Sequence, residues 1–253
     1  MRKKKSLGQH FLHDPGVIRR IVTLIGPRLK EHIVEIGPGA GALTRALLPF
    51  VSSLDVIELD HEVVPILQAN CNNSSKLHVY NADVLQLDFT RLQAPMHVVG
   101  NLPYNISTTL LFYLMENIKL IQNMHFMLQK EVAERIVAAP GSKTYGRLSV
   151  MLQYYCKVKL LLHIGSGAFS PPPKVDSAFI RLTPYESLPN PAHNIKVFGD
   201  IVCAAFNQRR KIIANSLKKY ISASQLEKLD IDPLMRPEEL GTPDFVKISN
   251  ACF

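Results

Sequence analysis

The stretch I-V-E-I-G-P-G-A-G-A, residues 33–42, decides the fold. Its apolar first half predicts a short buried strand, and residues 42–48 predict a helix after the glycines. A glycine-rich turn between a strand and a helix fits the nucleotide-binding pattern G-x-G-x-x-[G/A], in which Gly37 and Gly39 are the first two glycines. Glycine permits the tight turn and lets a ligand approach the backbone closely. An ordinary structural turn is the alternative, but the flanking strand and helix favour a ligand site.

Strands and helices alternate on both sides of this stretch. Further strands are predicted at residues 54–59, 77–80, 96–99 and 124–128. Helices are predicted between several of them, which is typical of an α/β protein with a doubly wound parallel sheet. Residues 158–164 and 177–182 have no helix between them and predict an antiparallel hairpin at the sheet edge.

A Pro-rich linker at residues 184–191 predicts two domains. The first is residues 1–184, with a basic N-terminal tail at 1–13. The second is a small all-helical domain, residues 185–253, whose predicted helices lie at 195–220 and 224–229.

The chain has 253 residues and a formal net charge of +8. Such a basic balance favours a polyanionic partner, most often nucleic acid. The candidate RNA-binding residues form two clusters: Arg2, Lys3, Lys4 and Lys5 in the tail, and Arg209, Arg210, Lys211, Lys218 and Lys219 near the C-terminus. A solubilising tail would explain the first cluster alone, and the second cluster makes nucleic acid the better interpretation.

The 4 cysteines and 9 histidines are scattered and show no spacing of the kind found in metal sites. They predict a reducing compartment, no disulfide framework and no metal. No apolar run follows the basic N-terminus, and none is long enough to span a bilayer. We therefore expect a cytoplasmic protein without a membrane partner, and a monomer because no apolar heptad is evident.

Two acidic residues at predicted strand ends suit an adenosine-containing cofactor. Glu58 lies close to the spacing expected of a carboxylate that binds ribose hydroxyls. Asp83 ends the next strand and could accept a hydrogen bond from an adenine amino group, although a turn cap is an equally good interpretation. These features do not separate a nicotinamide cofactor from S-adenosylmethionine.

The segment Asn101-Leu102-Pro103-Tyr104 also follows a strand. Asn101 offers an amide oxygen, and Pro103 restricts Leu102 to extended conformations, which could free the Leu102 carbonyl. Tyr104 offers a flat face to a base. Two acceptors beside an aromatic plane suit a planar amino group that is to be alkylated, because holding its hydrogens frees the nitrogen lone pair. The remaining task is to position the electrophile.

This segment resembles the corresponding motif of the ribosomal RNA adenine N6-dimethyltransferase family. Other motifs carry the same resemblance over nearly the whole chain: G-Q-H-F-L, E-I-G-P-G-A-G-A-L-T, V-I-E-L-D, F-M-L-Q-K-E-V-A-E-R, Y-G-R-L-S-V and F-S-P-P-P-K-V-D-S. The resemblance is closest to the bacterial small-subunit branch, which dimethylates two adjacent adenines near the 3′ end of 16S ribosomal RNA.

The resemblance implies a Rossmann-like sheet that uses S-adenosylmethionine, releases S-adenosylhomocysteine and needs no metal. It also implies a small helical C-terminal domain that binds RNA, and a small ribosomal subunit or its assembly intermediate as the partner. The implied cofactor contacts are His10, Leu12, Gly37, Gly39, Glu58, Asp83 and Asn101. The implied contacts to the target adenine are Asn101, Leu102, Tyr104 and Phe169, with Phe169 as a second aromatic wall. Without the resemblance, the better interpretation of Phe169 is a core aromatic under the Pro-rich loop. The family usually has Asn where this chain has His10.

Three alternatives compete with this assignment. A large-subunit methyltransferase of the antibiotic-resistance type would share most motifs, but V-D-S after P-P-P-K fits the small-subunit branch better. A nicotinamide-dependent oxidoreductase would share the glycine turn and leaves N-L-P-Y unexplained. A non-catalytic assembly factor would not need the full set of cofactor motifs.

Overall fold

The computed structural model describes residues 10–252 as a mixed α/β protein. The strands are β1 (Phe11–Leu12), β2 (His32–Ile36), β3 (Leu54–Glu58), β4 (Leu77–Asn81), β5 (Met96–Asn101), β6 (Ile121–Gln129), β7 (Cys156–Ile164), β8 (Phe169–Ser170) and β9 (Ser177–Pro184). The α-helices are α1 (Pro15–Ile25), α2 (Ala42–Leu47), α3 (Val64–Asn70), α4 (Ser107–Glu116), α5 (Lys130–Val137), α6 (Arg147–Tyr155), α7 (Ile195–Asn207), α8 (Ile213–Ser216), α9 (Ala223–Lys228) and α10 (Thr242–Ala251).

The main sheet of the described chain has the strand order β4-β3-β2-β5-β6-β9-β7. The pairs β3–β4, β2–β3, β2–β5 and β5–β6 are parallel, and β9 runs antiparallel to β6. This confirms the predicted fold, a mostly parallel sheet with an antiparallel strand towards one edge. The order reverses between β2 and β5, which is where ligands bind in sheets of this kind, beyond the carboxyl ends of the strands.

Residues 33–42 form the predicted strand, turn and helix. Every residue of β2 is buried, and Ile36 is paired with Gly100 of β5. The backbone then leaves the sheet through Gly37, Gly39 and Gly41, which all have positive φ angles. Side chains with a Cβ rarely adopt such angles, so glycine lets the chain turn directly from β2 into α2.

The described chain divides into two compact units. The N-terminal unit contains residues 10–133 and 159–184, and the C-terminal unit contains residues 134–158 and 185–252. The boundary after residue 184 coincides with the predicted linker, but residues 134–158 pack with the C-terminal unit. They do so because Tyr145 and Tyr154 are buried in one apolar cluster with Phe198 and Phe245.

The prediction of one continuous helix across residues 195–220 is wrong. It ends at Asn207, and the short α8 begins at Ile213. The amides of Ile213 and Ala214 donate to the carbonyls of Met235 and Pro233 rather than continuing α7. These tertiary hydrogen bonds outweigh the helical pattern of the sequence. Helices α6 and α10 have no counterpart among the predicted helices.

A buried carboxylate links three neighbouring strands of the N-terminal unit. Asp55 of β3 accepts hydrogen bonds from Nε2 of His32 at 2.9 Å and from Nδ1 of His78 at 3.0 Å. Burial alone would raise the pKa of Asp55, but the bonds from the two histidines outweigh it and hold that pKa below its ordinary value. The bond to Asp55 raises the pKa of His32, against the opposing effect of burial.

We predict that Asp55→Asn destabilises the protein in a pH-dependent manner. Asp55 contributes stability above its ordinary pKa of 3.8 and loses it as pH falls through its lowered folded pKa. His32 contributes fully below its ordinary pKa of 6.5 and loses its contribution as pH rises through its raised folded pKa. The loss of unfolding free energy should therefore be largest between about pH 4 and 6.5, at about 1–3 kcal/mol. Urea unfolding across this range measures it.

His78→Gln is the matched control, because the His78 side chain is 56% exposed. An exposed partner contributes less than about 1 kcal/mol. A pH-independent loss in Asp55→Asn, or an equal loss in the control, would contradict the proposed role of the buried His32–Asp55 pair.

Within residues 10–252, no helix combines the length and apolar character needed to cross a bilayer.

Candidate active site

A cavity in the N-terminal unit lies at the carboxyl ends of β2, β3 and β5, beside the point where the strand order reverses. The predicted site residues that line it are His10, Leu12, Gly37, Gly39, Glu58, Asp83, Asn101, Leu102 and Tyr104. The structure therefore brings together all of the predicted cofactor and catalytic residues apart from Phe169.

The glycine turn forms one wall of this cavity and leaves no room for a side chain at Gly39. Gly39 has a φ angle of +54°, and an added Cβ would lie 2.8 Å from a ring carbon of Phe11. The Gly39 amide donates to Oε2 of Glu58 at 3.0 Å. The turn after β2 and the end of β3 are thus held together, so that backbone forms the cavity wall.

Glu58 is buried at the end of β3, with a fixed carboxylate. Its Oε2 accepts from Gly39, and its Oε1 accepts from the Asp60 amide at 2.9 Å. Burial raises the pKa of Glu58, and the backbone donors oppose that rise because they stabilise the charged form. Each carboxylate oxygen keeps a further lone pair that can accept a hydrogen bond from a ligand hydroxyl.

Glu35 is a cavity residue that the sequence interpretation missed. It belongs to β2, is 2% exposed and lines the same cavity as Glu58. The Thr44 hydroxyl donates to its Oε2 at 2.7 Å. Burial raises the pKa of Glu35 to about 7, helped by the nearby charge of Glu58 and opposed by the Thr44 bond. The available signal was a carboxylate within the apolar run I-V-E-I.

Asp83 lines the cavity and also caps a turn. Its Oδ1 accepts from the Leu85 amide at 2.9 Å, and its Oδ2 lies 3.4 Å from Nε2 of Gln86. Both interpretations of this residue from the sequence are therefore compatible with its position.

Asn101, the last residue of β5, has a defined amide orientation. Its Nδ2 donates to the backbone carbonyl of His10 at 2.9 Å. Because a carbonyl can only accept a hydrogen bond, the side-chain atom that faces it must be the amide nitrogen. The amide oxygen of Asn101 is thereby the atom left to accept from a ligand. The next amide, of Leu102, donates to the Met127 carbonyl at 3.1 Å. Among residues 10–252, no donor engages the Leu102 carbonyl, in line with the effect expected of Pro103.

Tyr104 is held at both its hydroxyl and its ring. The hydroxyl lies 2.8 Å from the Ser177 hydroxyl, and the ring centroid lies 5.6 Å from that of His10. Burial raises the pKa of the Tyr104 phenol, opposed by the bond to Ser177. A neutral, fixed aromatic ring at the cavity wall can stack on a base.

Phe169 does not reach the cavity in this structure, contrary to the expectation of a second aromatic wall. It is 2% exposed and packs in the apolar core with Leu12 and Phe179. Strand β8 pairs with β1 so that Phe169 faces Leu12 in register. The ring next to Tyr104 is instead that of His10, whose Nδ1 lies 2.8 Å from the Pro171 carbonyl.

The candidate RNA-binding residues fall into three groups. Arg2, Lys3, Lys4 and Lys5 lie outside the described residues. Arg209 is half-buried: its Nε pairs with Glu238 at 2.5 Å, and its Nη2 donates to the Lys143 carbonyl. The guanidinium of Arg209 therefore stabilises the C-terminal unit, which the sequence did not reveal. The residues that remain exposed are Arg210, Lys211, Lys218 and Lys219.

No group of three or more His, Cys, Asp or Glu side chains within residues 10–252 is arranged to hold a metal ion.

Comparisons with known sequences identify relatives of this chain. The sequence model of the family described as ribosomal RNA adenine dimethylase matches residues 1–252. A ribosomal RNA small subunit methyltransferase A from Marinomonas sp. (strain MWYL1) is 51% identical over 250 residues, which cover 98% of this chain and 94% of that protein. Its counterpart in Pseudomonas aeruginosa is 49% identical over 252 residues, with the same coverage of 98% and 94%.

Solved structures also share the fold over most of the chain. A dimethyladenosine transferase from Plasmodium falciparum has a TM-score of 0.82 and 28% identity, and the match covers 94% of this chain and 96% of that one. A 23S rRNA methyltransferase, ErmE, has a TM-score of 0.76 over 94% of this chain and 97% of its own; at 23% identity this shows the fold alone. From the family match and the identity to its relatives, the chain belongs to the ribosomal RNA adenine dimethylase family.

Proposed function

We propose that this chain uses S-adenosylmethionine to dimethylate N6 of two adjacent adenines near the 3′ end of 16S ribosomal RNA. The observation that carries the proposal is the placement of Asn101, Leu102 and Tyr104 in one cavity with Glu58 and the glycine turn. An acceptor pair and an aromatic face for an amine then lie beside a site suited to an adenosine-containing cofactor.

The residues of the cavity fit S-adenosylmethionine. Gly39 lines the cavity with backbone alone, because the ring of Phe11 fills the space that a side chain at this position would need. Glu58 has a fixed, buried carboxylate suited to ribose hydroxyls, and Asp83 has carboxylate oxygens suited to an adenine amino group. Glu35 adds a second buried carboxyl group, and two carboxyl groups favour a cationic ligand. The bound cofactor would supply a methyl group on a cationic sulfur.

The chain's own residues would orient the target amine. The amide oxygen of Asn101 and the free carbonyl of Leu102 would accept the two N6 hydrogens and draw the nitrogen lone pair out of conjugation with the ring. Tyr104 would stack on the adenine, which must leave its own stack to enter the cavity. Positioning then supplies most of the rate enhancement, and no side chain has to form a covalent bond.

The proposed partner is small-subunit ribosomal RNA in an assembly intermediate of the 30S particle. We expect this protein to bind it in the cytoplasm and to do so as a monomer. Arg210, Lys211, Lys218 and Lys219 would contact its phosphates, together with the basic tail. Two curated relatives carry names of the small-subunit type, which favours this branch over the antibiotic-resistance type. An additional assembly role is compatible with catalysis.

Labelled S-adenosylmethionine incubated with unmethylated small subunits tests the proposal. We expect label in two adjacent adenines near the 3′ end of the 16S RNA, with dimethyladenosine as the product. Label in large-subunit RNA would support the antibiotic-resistance type instead. Absence of label, with RNA still bound, would leave a non-catalytic assembly factor.

A further inference from the structure

The segment of residues 170–176, S-P-P-P-K-V-D, is fastened to residues that line the cavity. At its start, the Pro171 carbonyl lies 2.8 Å from Nδ1 of His10, which must be the donor because the carbonyl can only accept. Directly after its end, the Ser177 hydroxyl lies 2.8 Å from that of Tyr104. The segment thus runs between two residues whose rings lie side by side at the cavity.

Two further hydrogen bonds hold the end of the segment in place. The carbonyl of Asp176 accepts from the Lys130 amide at 2.9 Å, and its Oδ1 accepts from the Ser166 amide at 3.2 Å. Three consecutive prolines add stiffness, because each has a fixed φ angle. The position of this segment beside the cavity is therefore defined by contacts at both ends.

Between these anchors, the segment presents a cation and an apolar side chain to solvent. Lys174 is exposed, and among residues 10–252 it forms no hydrogen bond or ion pair. Val175 beside it is 47% exposed, so its apolar side chain is open to contact from a ligand. By contrast, Lys76 in the same unit donates its Nζ to the Val51 carbonyl at 3.0 Å. The ammonium group of Lys174 is therefore available to a ligand, whereas that of Lys76 is already bonded.

We infer that residues 170–176 hold the RNA strand next to the target adenine, with Lys174 on a backbone phosphate and Val175 against the adjoining sugar. The inference rests on the proposed function. A base that enters the cavity remains attached to its strand, so the flanking phosphates must lie at the cavity rim. An exposed ammonium at that rim is complementary to a phosphate, and the anchored segment keeps it in register with Tyr104.

The test compares Lys174→Ala with Lys119→Ala as a matched control. Lys119 is also exposed, but it lies two residues before the start of β6 and so at the opposite, amino-terminal edge of the sheet. Binding of unmethylated 16S RNA is measured without cofactor over a range of salt concentrations. Lys174→Ala should weaken binding about three- to tenfold and lower the slope of log affinity against log salt by about 0.7–0.9, the value for one lost phosphate contact. Lys174→Arg should restore most of the affinity, since it keeps the charge.

Kinetics separate this role from a structural one. Lys174→Ala should raise KM for RNA by more than it lowers kcat, because the cavity residues themselves are untouched. If Lys174→Ala and Lys119→Ala bind RNA equally well, or share one salt slope, the inference is overturned. A different result would separate the two proposals. If the variants differ in RNA binding as predicted but the wild-type protein transfers no methyl group, the proposed function fails and the RNA contact stands.

Discussion

Asn101→Ala is expected to lower the rate of methyl transfer by about 10²–10³-fold while leaving RNA affinity unchanged. The substitution removes the amide oxygen that we assign to the target amine. Loss of one fixed polar group aimed at a reacting atom typically has an effect of this size. It also removes the Nδ2 bond to the His10 carbonyl, so the variant should be somewhat less stable. Single-turnover transfer and separate RNA and cofactor titrations measure these effects.

Asn81→Ala is the matched control for this prediction. Asn81 is the last residue of β4, as Asn101 is of β5, and its Nδ2 donates to the Glu58 carbonyl at 2.8 Å. It is an amide at the same edge of the sheet that also bonds a backbone carbonyl, but it does not line the cavity. A similar fall in transfer in both variants, or wild-type turnover in Asn101→Ala, would refute the role of Asn101.

Phe169→Ala is expected to lower the unfolding free energy by about 3–5 kcal/mol, since it leaves a cavity in a packed core. Phe169 is buried with Leu12 and Phe179, and its strand pairs with β1. The loss should appear as a lower urea midpoint. Because β1 follows His10 directly, cofactor affinity should also fall as that strand loosens.

Phe169→Leu distinguishes a core role from a stacking role. It keeps most of the apolar volume and should cost about 1–1.5 kcal/mol. If packing is the role of Phe169, this variant should transfer methyl groups at close to the wild-type rate. A stable Phe169→Leu protein with transfer lowered by more than about tenfold would show that the ring stacks on the target base after all, at a strength typical of base–aromatic contacts.

The sequence predicted most of the cofactor side of the cavity because the information there is local. Each parallel strand ends at the same edge of the sheet, so residues that follow strands in the sequence meet in space. Gly37, Glu58, Asp83 and Asn101 were all identified in this way. Glu35 was missed because it lies one residue inside its strand, where an apolar residue is the usual occupant.

The residues placed less well are those whose position depends on contacts between distant segments. Phe169 was assigned to the site from a motif, but its pairing with Leu12 turns the ring into the core. Arg209 was counted as an RNA contact, but Glu238 lies close enough to hold it. No local pattern encodes either pairing, since the partners are far apart in the chain.

The sequence by itself determined the alternating α/β fold, the glycine turn and the acceptors at the ends of β3, β4 and β5. It could do so because burial periodicity and backbone conformation are properties of neighbouring residues. Only the tertiary structure decided that residues 134–158 pack with the C-terminal unit and that Asn101 turns its nitrogen to His10. It also decided that the segment after Phe169 is fastened beside Tyr104. These outcomes depend on which distant groups satisfy each other's hydrogen bonds and fill each other's volume, and that is settled only when the whole chain has folded.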